Sequence, residues 1–426
     1  MRTLILFFLL LSSSQVFADP YYTIQNSGTS NTLRSITFIN ESTGFAVGIS
    51  STLLRTSNGG NNWIDINISA SATTYNCVLF PNNSTGFVVS DAGELIKSTN
   101  GGINWQITSL SSNSLKCIYF INETTGFVGG GNGALYKTTN TGANWTDVSL
   151  SIGETINRIA FSDNDYGYFL TREFFIDGSV YKTTNGGVNW GIVSNFFNGY
   201  NGNKALFDVV PLNRDTVYVS LGYYQTGIMR TTDGGQSWQY IYNQFQSGNF
   251  PGSFYELFFN NGYIYAVCGA TDGVTGYMVK SSDGGFNFTN YTAFRLVGYV
   301  FDAYFFKSSP VVYTCGEGGY IVKFNDYLTN VSNYSNTIPN KYHLSQNYPN
   351  PFNPTTKIRF DLPEQSLVSI KVYDITGKEV STLVNSEYNS GSYSVDFNGE
   401  NLSSGIYFYR IKAGDFISTR RMMLIK

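Results

Sequence analysis

The sequence predicts an all-β fold made by repetition, and three observations carry that expectation. Gly (44), Phe (33) and Tyr (32) are abundant while charged residues make up only 13% of 426 positions, a balance that favours turns and strands over helices. All 5 tryptophans fall in one short recurring motif: Trp63, Trp105, Trp145, Trp190 and Trp238 stand 42, 40, 45 and 48 residues apart, and Phe288 takes the same place 50 residues further on. Each interval holds several short alternating apolar runs, enough for one four-stranded blade. The expected architecture is a seven-bladed β-propeller followed by a small immunoglobulin-like β-sandwich.

Residues 1–18 read as a signal peptide. Arg2 precedes an apolar run from Leu4 to Leu11, and Val16 and Ala18 supply a small-residue cleavage site before Asp19. That run is too short to span a bilayer, and no later apolar stretch approaches spanning length. The propeller is then expected over residues 19–325. In its first full copy strand A holds Ser35 to Phe38, a turn runs from Asn40 to Gly44, strand B opens with Phe45, and strand C is Leu53 to Thr56. The turn that follows, Asn58-Gly59-Gly60, needs left-handed backbone angles, and Trp63 opens strand D.

The same turn returns with Asn100 and Gly102 before Trp105, Asn140 and Gly142 before Trp145, and Asn185 and Gly187 before Trp190. Two more copies carry Asp233 and Gly235 before Trp238, and Asp283 and Gly285 before Phe288. An Asn or Asp side chain holds backbone amides in such a turn while the aromatic packs between sheets, so the motif is read as structural. A last copy, Val312 to Cys315 and Tyr320 to Lys323, lacks a fourth strand. Counting back from Phe38 by the usual distance between strand D and the next strand A reaches Tyr22, so Tyr22-Thr23-Ile24 is expected to complete that blade and cover its edge.

These copies resemble the photosystem-II-assembly-factor-like repeats, with Asp-box turns of the kind sialidases carry, over residues 21–325. Asn58, Asn100, Asn140 and Asn185 replace Asp in four turns, and Phe288 replaces Trp in one. The resemblance implies the fold and leaves the activity open.

A polar linker is expected over 326–341 and a second domain over 342–426. Its opening, from Gln346 to Pro354, contains three prolines without amide donors and is excluded from a central strand. Val368 to Val372 alternates, Ile375 to Val380 reads as a hairpin, and Leu402 to Ile411 leads through Gly414 to a last strand ending at Lys426. In this order the segments resemble the type A sorting domain of the type IX secretion system. That resemblance implies the type IX machinery as a partner and passage through the periplasm and across the outer membrane, ending in release or surface attachment.

The chemistry is defined mainly by exclusion. A formal charge of -3, mixed along the chain, gives no footprint for nucleic acid or an anionic membrane. The single histidine, His343, lies in the C-terminal domain, which leaves the propeller without a Ser-His pair or a His metal site. One position of strand C is basic in every blade (Arg55, Lys97, Lys137, Lys182, Arg230, Lys280, Lys323) and is read as structural. Arg34, Arg158, Arg172, Arg214 and Arg295 are scattered and share no motif, so no catalytic residue is assigned. Asp163-Asn164-Asp165-Tyr166-Gly167 is spaced like a calcium loop but aligns with the turn Asn122 to Gly126, and neither metal nor cofactor is expected. Cys77 with Cys117 and Cys268 with Cys315 stand at matching repeat positions, which allows two disulfides in an exported chain; since all four fall on apolar strands of neighbouring repeats, free buried thiols are the favoured reading.

Blades four to six carry lengthened loops on the face shared by B-to-C loops and D-to-A connectors. Their aromatics, Phe174, Phe175, Phe197, Tyr200, Tyr223, Tyr224 and Phe245, are the candidate ligand-binding residues. The function expected is a secreted or surface, non-catalytic module that binds a glycan or a protein; the alternative is a secreted glycan-cleaving hydrolase.

Overall fold

A computed structural model describes residues 22–68, 72–172, 178–195, 204–223, 227–243, 252–260, 263–270, 275–281, 284–285, 289–295, 299–306, 311–325, 332–335, 339–388, 390–399 and 402–426. The chain divides into two compact units, one ending at Phe324 and one running from Asn325 to Lys426. Residues 1–18, the expected signal peptide, lie outside the described residues.

Among the described residues the first unit holds seven four-stranded sheets. Their inner strands, A, are Leu33–Phe38, Tyr75–Leu79, Leu115–Phe120, Ile156–Phe161, Lys204–Pro211, Gly252–Asn260 and Val300–Phe305. Each inner strand packs on that of the next sheet, and the seventh packs back on the first, so the sheets close into a ring. The two ends of the unit meet in the seventh sheet. Tyr22–Gln25 runs antiparallel to Ile321–Asn325, with Tyr22 opposite Phe324 and Gln25 opposite Ile321.

Local sterics explain the recurring residues. Strand B begins with Gly in the first four blades because the last aromatic of strand A lies across it: a Cβ on Gly44 would stand 2.5 Å from the Phe38 ring, and one on Gly167 would stand 2.5 Å from Phe161. In the Gly-Gly turn, Gly102 has φ of 76° and a Cβ there would meet Phe45 of the preceding blade at 2.2 Å. Trp105 then sits edge-on to the same Phe45, centroids 5.9 Å apart, and Trp145 and Trp190 repeat the contact on Phe87 and Phe127.

A hydroxyl at the end of strand C organises each turn. Thr138 Oγ1 accepts from the Gly142 amide at 3.0 Å and donates to Asn140 Oδ1 at 3.0 Å, while Asn140 Oδ1 accepts from the Asn144 amide. Thr56, Ser98, Thr183 and Thr231 make the same bonds. Thr138→Val, at a site 1% exposed, leaves the Gly142 amide without its acceptor and is expected to cost about 1–3 kcal/mol in chemical denaturation. A change below about 0.5 kcal/mol would show that the turn holds without its hydroxyl.

In blades two, three and four the basic residue of strand C reaches the next blade. Lys97 Nζ donates to Thr141 O and Gly142 O at 3.0 Å each, Lys137 Nζ to Gly186 O at 2.7 Å, and Lys182 Nζ to Gly234 O at 2.9 Å. The Lys97 and Lys137 ammonium groups also lie over the Phe87 and Phe127 rings.

The second unit is two four-stranded antiparallel sheets. One orders Ser332–Ser335, Gly391–Asn398, Thr355–Leu362 and His343–Leu344; the other orders Glu379–Tyr388, Ser366–Tyr373, Gly405–Ala413 and Phe416–Leu424. Thr355–Leu362 buries alternate residues, and Ile358, Phe360 and Leu362 join Val368, Ile370 and Val372 in one core. The proline-rich opening forms only isolated bridges, Tyr348 to Lys357 and Phe352 to Leu424, and it seats Phe352 in that core. Within the stretch expected as linker, 326–341, Ser332–Ser335 is instead an edge strand on Gly391–Asn398. It is all polar apart from Tyr334, so no apolar alternation marks it in the sequence.

Candidate functional site

Every inner strand of the propeller carries a β-bulge near its start. The pairing with strand B slips between Leu33 and Ser35, Tyr75 and Cys77, Leu115 and Cys117, and Ile156 and Arg158. It slips again between Leu206 and Val209, Phe254 and Glu256, and Val300 and Asp302. A bulge releases one residue from the ladder and redirects its side chain. The released residues, one from each blade, line a single cavity of about 370 Å³ at the mouth of the central channel.

In ring order this mouth has two unlike arcs. Blades one to four contribute Arg34, Asn76, Lys116 and Asn157; blades five to seven contribute Phe207, Tyr255 and Phe301. Arg172, directly after strand B of blade four, stands over the Phe207 ring at 4.7 Å and extends the cationic arc. Tyr299 and Glu317 complete the aromatic side, where Glu317 Oε2 accepts from the Tyr299 amide at 3.2 Å. The rings touch in series, Phe207 to Tyr255 at 4.8 Å, Tyr255 to Phe301 at 6.0 Å and Tyr255 to Tyr299 at 6.2 Å, all edge to face. Lys116 is half-buried. Burial, then the like charge of Arg34 and of Arg172, holds its ammonium below the ordinary lysine range, with Asp91 opposing.

The next residue of each inner strand forms the floor: Ser35, Cys77, Cys117, Arg158, Asp208, Glu256 and Asp302. Arg158 Nε donates to Asp208 Oδ1 at 2.6 Å and its Nη2 donates to Glu256 Oε1. Floor side chains also bond the backbone of the following blade: Ser35 Oγ accepts from Val78 N at 3.2 Å, Asp208 Oδ2 from Leu257 N at 2.8 Å, and Asp302 Oδ2 from Ile36 N at 2.9 Å. The last of these joins blade seven to blade one. Burial raises the Glu256 and Asp302 carboxyls, against the opposing pull of Arg158, and their mutual repulsion with Asp208 adds to the rise at Glu256.

Three of the five arginines read as scattered therefore meet here: Arg34, Arg158 and Arg172. Arg214 lies elsewhere, among the A-to-B turns, where its Nε donates to Asp163 Oδ2 at 2.8 Å. Asp163 Oδ1 accepts from the Asp165 and Tyr166 amides at 2.9 Å each, as an ordinary turn residue does. No group of three or more His, Cys, Asp or Glu able to hold a metal ion occurs among the described residues. Cys77, Cys117 and Cys315 carry free thiols, all raised in pKa by burial, while the Cys268 side chain lies outside the described residues.

Of the expected ligand-binding aromatics, Phe174, Phe175, Phe197, Tyr200, Tyr224 and Phe245 lie outside the described residues, and only the backbone of Tyr223, at the end of Val217–Tyr223, is described. The mouth residues were missed because they belong to strands rather than to insertions. Aligning the repeats on the Phe at the end of strand A would have found four of them: Arg34, Asn76, Lys116 and Asn157 each stand four residues before Phe38, Phe80, Phe120 and Phe161.

The ring of sheets, its closing strand and the walled channel mouth define the first unit as a β-propeller, with a β-sandwich as the second unit. Residues 15–148 match the family described as photosynthesis system II assembly factor YCF48, and residues 346–426 match the secretion system C-terminal sorting domain. Among solved structures, YCF48 bound to a D1 peptide is similar at a TM-score of 0.58 and 17% identity, covering 71% of this chain and 96% of its own. YCF48 from Cyanidioschyzon merolae is similar at 0.56 and 17%, covering 72% and 99%. At that identity the likeness is one of fold. No curated protein matches the chain. The type IX sorting domain implies export to the cell surface or secretion. No helix among the described residues is long and apolar enough to cross a membrane.

Proposed function

We propose that this is an exported, non-catalytic binding protein whose ligand seats at the mouth of the propeller channel. The observation that carries the reading is the mouth itself, where cations without ion-pair partners among the described residues, Arg34 and Lys116, face a shelf of aromatic rings. Such surfaces bind, and the Glu317 carboxylate beside them accepts from the Tyr299 amide. Three carboxylates do converge beneath it, but Asp208, Glu256 and Asp302 are committed to Arg158 and to backbone amides of neighbouring blades. YCF48 bound to a D1 peptide is a propeller of this fold holding a ligand, which supports the same use here.

Export in this reading takes two steps, with residues 1–18 directing the chain to the periplasm and 346–426 directing it across the outer membrane. Removing residues 346–426 is expected to leave the propeller in the periplasm, scored by immunoblot of cell fractions. Unchanged release would refute the route. The binding reading is tested by incubating the exported protein with glycan and peptide panels and scoring both capture and hydrolysis. Turnover abolished by Glu256→Gln would establish the glycan-cleaving alternative instead.

A further inference from the structure

We propose that the occupant of the channel mouth is a hexuronic-acid-bearing oligosaccharide, its carboxylate held by Arg34, Lys116 and Arg172 and a sugar face laid on the accessible Tyr299 and Phe301 rings. The inference rests on the binding reading above and narrows it. Three features of the mouth select the ligand. First, Arg34 and Lys116 make no ion pair among the described residues, although Lys116 is half-buried and repelled by both arginines. An anion entering there relieves that repulsion, and a planar carboxylate suits guanidinium donors.

Second, the opposite arc is aromatic: Tyr255 is buried edge to face against Phe207, Phe301 and Tyr299, while Tyr299, 37% exposed, and the half-buried Phe301 keep ring surface open to the C–H face of a pyranose. Within the cationic arc Asn76 stands between Arg34 and Lys116, and Asn157 stands between Lys116 and Phe207. Both amide hydrogens of Asn157 serve the fold, Nδ2 donating to Thr155 O and Arg172 O at 2.8 and 3.1 Å, and Asn76 Nδ2 donates one to Leu115 O at 2.7 Å. Asn157 thus offers a ligand its carbonyl oxygen, an acceptor for hydroxyl donors, and Asn76 offers its carbonyl oxygen and one amide hydrogen. Carboxylate, apolar ring face and hydroxyls in one small unit describe a sugar acid.

Third, the features an extended peptide would need are taken. An extended peptide that adds to a strand edge does so through backbone hydrogen bonds. Here the channel-facing amides of Val78, Leu257 and Ile36 already donate to Ser35, Asp208 and Asp302 of the preceding blade. Recognition falls on side chains, and a cavity of about 370 Å³ is at the small end of ligand sites, about 300–1,000 Å³.

The experiment is calorimetric titration of the full exported chain with trigalacturonate and trimannuronate, with the methyl ester of trigalacturonate and with neutral trigalactose. At least one acid trimer is expected to bind, and its neutral counterpart at least about tenfold more weakly. Lys116→Met is expected to weaken the acid by about tenfold or more while leaving thermal stability unchanged or raised, because it removes a desolvated cation with no ion pair among the described residues. Phe301→Ala is expected to weaken acid and neutral trimers alike. Equal affinity for acid and ester overturns the proposal. So does capture of a carboxylate-terminated peptide, lost in Lys116→Met, when no acid trimer binds; that outcome keeps the mouth as a binding site and changes its ligand. If no glycan or peptide binds and Lys116→Met alters nothing, both this proposal and the binding reading fall.

Discussion

Arg158→Met is expected to destabilise the propeller by about 3–5 kcal/mol at neutral to mildly alkaline pH, and by much less near pH 4. Arg158 lies in the channel floor with its side chain 30% exposed, bonded to Asp208 and Glu256, whose side chains are 2% and 11% exposed. Methionine fills much of the same volume, so the loss is chiefly electrostatic: buried carboxylates keep their desolvation cost without their counter-charge. The sign of the pH dependence follows from the direction of the shifts. Burial raises Glu256 and Asp302 above their ordinary values, so the folded state holds protons that the unfolded state has released. Their contribution to stability is full below about pH 4 and declines as pH climbs through the raised folded-state values. Removing Arg158 lifts those values further, so the penalty widens with pH and closes in acid. Denaturant titrations of both proteins from pH 4 to 8 measure it; a penalty constant across that range would mean that Arg158 acts by packing alone.

Deleting residues 22–25 is expected to cost about 3–6 kcal/mol and to make the protein self-associate. The strand contributes a four-residue ladder to Ile321–Asn325, and Tyr22 covers Phe324, which is fully buried with the ring 6.1 Å away. Without it the seventh sheet ends on an open edge beside apolar Ile321 and Val322, a template for pairing with another chain. Scanning calorimetry and size-exclusion chromatography report the two effects. A deleted protein that stays monomeric and melts at the parental temperature would show that side-chain contacts such as Asp302 to Ile36 suffice to hold the ring.

How much of this was legible in the sequence depends on where the constraint lies. The Gly-Gly turn and its aromatic are forced by local backbone angles and by contact with the preceding blade, so Gly102 and Trp105 recur by identity and can be read directly. The inner-strand alternation was also visible, because Ile36 and Phe38 must point to the inter-sheet core. The mouth was not. Arg34, Asn76, Lys116, Asn157, Phe207, Tyr255 and Phe301 share a position but no chemistry, and a β-bulge leaves no composition signature that marks its extra residue. The floor was hidden for a related reason, since Arg158 meets Asp208 and Glu256 from 50 and 98 residues away. Ser332–Ser335 escaped notice because an edge strand on a sandwich needs only backbone pairing.

The one-residue slip at the start of each inner strand separates two tasks that most enclosed sites combine. Because Arg34 and its six counterparts stand outside the ladder, exchanging one for another alters what the channel entrance greets without removing a ladder bond, the amide bonds of Asn76 and Asn157 to neighbouring carbonyls being the part that would be lost. The entrance is thus a seven-position combinatorial lock on a fixed frame. Chains sharing this frame are free to diverge in ligand by drift at those positions alone, and a designer wishing to retarget an exported propeller has seven addresses at which to begin.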